Sequence, residues 1–150
     1  MKIDEEIKQR KFENNFHKAL INIHYTNSWY RDILNTTFKA YDIHPQHYNI
    51  LRILKGKYPE PVTPGYIKEV MLEKGTDLTR LLDKLERKNL IVRRICPSNR
   101  RNIDINITDG GILLLDKIHP VFIDLSNKIS KNLSEKEAET LSNLLDKLRG

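Results

Sequence analysis

Arg80, Lys84 and Arg87 recur at spacings of four and three residues, so a helix would carry them on one face, with Thr76 and Thr79 just ahead. Further along, Arg100 and Arg101 stand side by side in a polar stretch, Cys96-Pro97-Ser98-Asn99-Arg100-Arg101-Asn102. Guanidinium and ammonium groups clustered in this way bind phosphate oxygens, and threonine hydroxyls add further donors. Residues 76–102 hold 8 basic side chains against 3 acidic ones, whereas residues 103–150 hold 6 against 8. The net charge of +6 is therefore concentrated in one short stretch, as expected where a surface meets a polyanion. The competing assignments are a solvated helix face for Arg80, Lys84 and Arg87, and a solubilised hairpin for the paired arginines.

Other chemistries find little support. The chain has no glycine-rich phosphate loop, no nucleophile elbow and no metal triad, so no enzyme is expected. Gly110-Gly111 reads as a helix start. His44 and His47 lie three apart, His17 and His24 seven apart, and His119 stands by itself after the hairpin. No Cys/His cluster has ligand spacing, so neither a metal nor a cofactor is expected. Cys96 is the only cysteine, which excludes an internal disulfide and suits a reducing cytoplasm. It reads as a filler at a strand end in preference to a reactive thiol, although Arg93, Arg94 and Arg100 are near it in sequence. No apolar run approaches the roughly 20 residues of a bilayer span. Nor does the charged start, Met1-Lys2-Ile3-Asp4-Glu5-Glu6, resemble a signal peptide.

The basic residues need elements to hold them. At 150 residues the chain has room for one domain with a core. Residues 5–34 carry Phe12, Phe16, Ala19, Leu20 and Ile23 at helical spacing without Gly or Pro. This predicts one long helix whose stripe packs on the rest of the chain or on a second copy. Asp42-Ile43-His44-Pro45 opens a short helix with Ile50, Leu51 and Leu54 inward, ended by Gly56, Pro59 and Pro61. Thr63-Pro64 starts another, striped by Ile67, Val70 and Met71 and reaching about Glu73. Lys74-Gly75-Thr76 turns tightly into a helix from about Asp77, whose Leu78, Leu81, Leu82 and Leu85 lie opposite its basic face.

After Lys88-Asn89 the period becomes extended. Residues 90–95 and 103–107 read as strands of a hairpin, and the polar turn between them carries the arginine pair. Thr108 caps a helix striped by Ile118, Val121, Phe122, Leu125 and Ile129, kinked or restarted at Pro120. Ser134 and Glu137 form a capping box for the last helix, with Leu141, Leu144, Leu145 and Leu148 as its buried face.

Helix, tight turn, basic-faced helix and basic-tipped hairpin are parts that recognition of double-stranded DNA needs together. A helix fits the major groove, and arginine on a hairpin tip suits the narrow minor groove beside it. Thr76, Thr79 and Arg80, near the helix start, would reach bases or phosphates, and Lys84 and Arg87 the backbone. The alternative is a winged-helix module whose helix 77–88 binds an acidic protein.

At these residues the chain resembles the MarR (multiple antibiotic resistance regulator) family of winged helix-turn-helix proteins. Asp42-Ile43-His44-Pro45-Gln46-His47-Tyr48 is similar to that family's lead-in to its second helix. Leu81-Leu82-Asp83-Lys84-Leu85-Glu86-Arg87-Lys88-Asn89-Leu90-Ile91-Val92-Arg93 resembles the end of its recognition helix and its first wing strand. Pro97-Ser98-Asn99-Arg100-Arg101 resembles the wing, and Ile107-Thr108-Asp109-Gly110-Gly111 the following helix start. The family usually has glycine at Asn89, where Asn still tolerates a left-handed conformation. It usually has aspartate at Asn99, where Asn can orient Arg101 only by a neutral hydrogen bond.

The resemblance implies a mainly α fold with a small β-hairpin wing, in a single domain. Residues 42–108 would form the DNA-binding lobe, and residues 1–40 and 109–150 a helical dimerisation region. It implies a homodimeric regulator, a repressor released by a small effector, that binds a pseudo-palindromic operator. Arg101 would enter the minor groove and Arg100 would meet the backbone. It also implies a pocket for an aromatic or phenolic effector, for which His24, Tyr25, Trp29, Tyr30, His47 and Tyr48 are the candidates; ordinary core and interface packing is the competing assignment.

Overall fold

Side-chain oxygens start most of the helices by accepting a backbone N–H that the first turn leaves without a partner. Asn14 does so for His17, Thr63 for Tyr66, Asp77 for Arg80, Thr108 for Gly111 and Ser134 for Glu137. The computed structural model describes residues 2–9, 11–96 and 99–150, with the backbone alone at 96 and 99–102. Among them the order is α1 (Ile3–Glu6), α2 (Asn15–Lys39), α3 (Pro45–Lys57), α4 (Pro64–Val70) and α5 (Leu78–Arg87), then β1 (Ile91–Cys96), β2 (Asn99–Ile107), α6 (Asp109–Ile129) and α7 (Glu135–Arg149). The chain divides into two units, Met1–Pro45 and Gln46–Gly150.

In the first unit the expected helix over 5–34 is broken. Lys8 turns the chain at φ 53°, and the long helix starts only after Asn14, whose Oδ1 accepts the His17 N–H at 2.8 Å. A local cap thus overrides the apolar spacing that began at Phe12. The short α1 folds back on α2: Lys18 Nζ donates to Asp4 at 3.1 Å, and the Tyr25 hydroxyl donates to Glu6 at 2.9 Å. The expected apolar stripe is largely exposed, Phe16 by 80% and Leu20 by 56%.

The second unit has a core of Ile50, Leu51 and Leu54 from α3, Ile67 from α4, Leu82 and Leu85 from α5, and Leu115 and Ile118 from α6. Ile91, Ile105 and Ile107 join it from the hairpin. The strands are antiparallel, with Ile91 opposite Ile107, Arg93 opposite Ile105 and Ile95 opposite Ile103. Val62 exchanges two backbone hydrogen bonds with Ile105, at 3.0 and 2.9 Å, on the other side of β2.

Several boundaries differ from expectation. α4 ends at Val70, short of Glu73, because Met71 turns extended (ψ 141°) to bury its side chain. β2 begins at Asn99, so residues 99–102, expected in the turn, are strand. α6 runs through Pro120 without a restart. Both Pro120 and Asp116, whose carbonyl loses its intrahelical partner there, are exposed and open to water. On α7 the capping box is present, yet the leucine face is not buried: Leu141, Leu144 and Leu148 are 49%, 58% and 51% exposed.

Candidate nucleic-acid interface

α5 is cleanly divided. Leu82 and Leu85 are buried and Leu78 and Leu81 half-buried, while Thr79, Arg80 and Arg87 are exposed on the opposite side and Lys84 is half-buried between. Gly75, at φ 79°, makes the turn before it, a conformation that side chains with a Cβ rarely adopt. Thr76 lies in this turn ahead of the helix and donates its hydroxyl to the Glu73 carbonyl at 3.3 Å. Arg87 Nε donates to the Asp83 carbonyl within the helix. The second half of α5 therefore shows two cations and its first turn a threonine and an arginine.

The helix closes through Asn89, held at φ 55°, so the left-handed residue expected there is present with Asn in place of Gly. The Asn89 carbonyl then accepts the Thr108 hydroxyl at 2.7 Å, and Thr108 Oγ1 accepts the Gly111 N–H at 3.1 Å. These bonds join the end of α5, the foot of the hairpin and the start of α6.

A brace ties the wing to the helix. Arg93 shares the inward face of β1 with Ile91 and Ile95, but its guanidinium turns to α5, where Nε donates to Glu86 at 2.9 Å and Nη2 to Asp83 at 2.7 Å. Nη2 also pairs with Glu86, and the Arg93 N–H donates to the same carboxylate at 3.3 Å. By charge count alone Arg93 is one more cation of the basic stretch. The signal that could have singled it out is an arginine at an inward strand position, close after two acids one turn apart. The hydrogen bond from Arg93 holds the Glu86 carboxyl below its ordinary value of 4.5. A lowered carboxylate stabilises the folded form above that value, and its contribution disappears as pH falls through the lowered pKa. Arg93→Met should thus lower stability to urea by about 1 kcal/mol at pH 7, since the pair is partly solvated. The gap between the two proteins should close as the medium is acidified below 4.5, the ordinary value for Glu86.

Asn99, Arg100 and Arg101 form the first residues of β2, and their side chains lie outside the described residues, as do Pro97 and Ser98 entirely and the side chain of Cys96. The backbone puts the arginines beyond the last apolar pair, Ile95 and Ile103, at the far end of the hairpin. On the outward face Arg94 is exposed opposite Asp104.

The effector candidates divide between the two units. His24, Tyr25, Trp29 and Tyr30 are exposed on α2, and Tyr25 is engaged by Glu6, a bond that raises its phenol above the ordinary 10.0. In the second unit His47 is buried, and Tyr48 stacks on Phe122 of α6 with ring centroids 5.0 Å apart. Among the described residues no three His, Cys, Asp or Glu side chains gather as metal ligands.

Comparison with known proteins places this geometry. The sequence model of the MarR family matches residues 43–103, from the lead-in of α3 to the middle of β2. The multiple antibiotic resistance protein MarR of Escherichia coli is 30% identical over 127 residues, 84% of this chain and 87% of that protein. The transcriptional regulator MhqR of Bacillus subtilis is 29% identical over 117 residues, 78% of this chain and 79% of that protein. The crystal structure of a mutant E. coli MarR complexed with operator DNA superposes with a TM-score of 0.78 at 27% identity, covering 92% of this chain and 98% of that one. The S. aureus MepR–DNA complex, at 22% identity and a TM-score of 0.77, shares the fold. With a relative this similar along nearly its whole length, and with the winged helix described above, the chain belongs to the MarR family of regulators.

Proposed function

We propose that this protein is a sequence-specific, double-stranded-DNA-binding transcriptional regulator that acts as a homodimer. One observation carries the reading: α5 exposes Thr79, Arg80 and Arg87 while Arg93 fastens its flank to a hairpin whose far end bears two arginines. A helix and a loop tip held in fixed relation can bracket one phosphate strand, so that backbone contacts set the register and base edges are read beside them. In this reading Thr76, Thr79 and Arg80 meet bases or nearby phosphates, and Lys84, Arg87 and Arg100 meet the backbone. Arg101 enters the minor groove. The complex of E. coli MarR with operator DNA supports the same use of the shared fold.

Residues 42–108 serve as the reading lobe, and residues 1–40 and 109–150 join two copies. The leucines left exposed on α7 and the apolar stripe left exposed on α2 support that division. Two-fold symmetry then calls for half-sites about 34–36 Å apart along a pseudo-palindrome. Its work is in the cytoplasm, as a repressor released by a small aromatic or phenolic effector. The relatives are regulators, and the chain acts by binding and not by catalysis.

Selection from a random duplex pool, with and without aromatic effectors, tests the function. An enriched pseudo-palindrome is expected; retention of no duplex at low salt would return the basic face to an acidic protein partner. Lys84→Ala should weaken all duplexes alike and reduce the slope of log K against log salt by about 1. An unchanged slope would remove Lys84 from the phosphate contacts.

A further inference from the structure

The turn that launches α5 hangs from α3 by two side chains. Gln46 and Asn49 stand three residues apart on α3 and so on one face of it. Asn49 Oδ1 accepts the backbone N–H of Leu72 at 3.0 Å, and Gln46 Nε2 donates to the Glu73 carboxylate at 2.7 Å. The Glu73 carbonyl in turn accepts the Thr76 hydroxyl, one residue before the Asp77 cap of α5.

Packing does little along this stretch. Met71 is buried and so is Leu82, but no residue between them is, and Leu72 itself is 84% exposed. The start of α5, where Leu78 and Leu81 are only half-buried, therefore has weaker apolar anchoring than Leu82 and Leu85 give its second half. Polar bonds add to it: the two from α3, the Asp77 cap, and Lys74, whose ammonium donates to the Lys68 and Glu69 carbonyls at the end of α4. The α3 bonds tie the turn to an element outside the helix-turn-helix pair. α3 can serve as a fixed post, because Ile50, Leu51 and Leu54 are buried and Tyr48 stacks on Phe122.

We propose that Gln46 and Asn49 are positioning residues for the reading helix: by holding Leu72 and Glu73, they set where Thr76, Thr79 and Arg80 fall along a duplex, without meeting DNA themselves. The proposal rests on the DNA-reading role of α5 argued above. A hydrogen bond that holds a weakly packed turn contributes to discrimination between sequences more than to gross affinity. Displacing the start of the helix disturbs directed base contacts, whereas phosphate attraction tolerates it.

The test compares Asn49→Ala and Gln46→Ala with the wild-type protein on two probes: the duplex that the wild-type protein selects from a random pool, and a scrambled duplex of equal length. Asn49→Ala should bind the selected duplex roughly fivefold to tenfold less tightly and the scrambled duplex within about twofold. Its salt slope and melting temperature should stay close to wild type, and Gln46→Ala should lose less in the same direction. Amide exchange at Leu72 should quicken in Asn49→Ala and slow again in Asn49→Asp, which restores an acceptor oxygen. Equal losses on both duplexes with a lowered melting temperature would reduce Asn49 to a fold-stabilising residue and overturn the proposal. So would full discrimination retained by both variants. A wild-type protein that selects no sequence would overturn the reading role itself, an outcome distinguishable from a selective wild type with unaffected variants.

Discussion

Gly111→Ala should lower the unfolding free energy by about 3 kcal/mol, near the upper end for an overpacked site. A Cβ at Gly111 would sit 2.6 Å from Ile107 Cγ1 and press directly on the Leu90 carbonyl oxygen. Neither neighbour can move cheaply. Ile107 is buried on the inward face of β2, and the Leu90 carbonyl already accepts the Thr108 N–H at 3.1 Å. Relief would require α6 to move off the foot of the hairpin, breaking the Thr108 bonds to Asn89 and Gly111 described above. Gly110→Ala is the matched control. Its added Cβ would meet only the Asn89 carbonyl, at 3.2 Å, and the Thr108 hydroxyl, at 3.5 Å. It gains the better helix former and should change stability by less than about 1 kcal/mol. Urea unfolding of the two variants side by side measures the difference; equal midpoints would mean that the approach of α6 to the hairpin is looser than described.

Arg80→Ala should weaken binding to the selected duplex by about 1–3 kcal/mol, while a scrambled duplex should lose only what one phosphate contact provides. Arg80 belongs to the first turn of α5, is exposed, and stands on the side opposite the buried leucines, where a helix seated in the major groove presents its base-reading residues. Arg101→Ala should produce a loss of similar size from the minor groove. If the two arginines read separate grooves, their losses should add within about 0.5 kcal/mol. Equal loss from every sequence for Arg80→Ala would reassign it to the backbone. Binding isotherms at two salt concentrations suffice to separate these outcomes.

The parts of the fold set by neighbours in sequence were legible in the chain. Thr63, Asp77, Thr108 and Ser134 all cap helices as their types suggest, because a cap needs only an oxygen three residues ahead of the N–H it serves. Asn89 could be read in the same way, since few residues besides glycine adopt its φ of 55°. The structure departs from expectation where a short local signal and a longer pattern disagree, or where the partner lies far along the chain. At Asn14 the cap prevails over apolar spacing that continues back to Phe12. The start of β2 at Asn99 has no apolar alternation to announce it, because the bonds that define it are backbone bonds to β1. In the candidate site the basic face of α5 could be seen by spacing alone. The engagement of Arg93 with Asp83 and Glu86 could not, since a charge count does not distinguish a cation held by two carboxylates from one facing water.

The leucines of α7 have a consequence for dosage. A chain with Leu141, Leu144 and Leu148 about half exposed has apolar surface that a second copy can cover, so its apparent melting temperature should climb with protein concentration. Occupancy of a two-fold symmetric site would then track the number of pairs and not of chains, falling roughly as the square of dilution once pairs begin to separate. A cell making too few copies would leave such a site empty well before the intrinsic grip on DNA alone would allow.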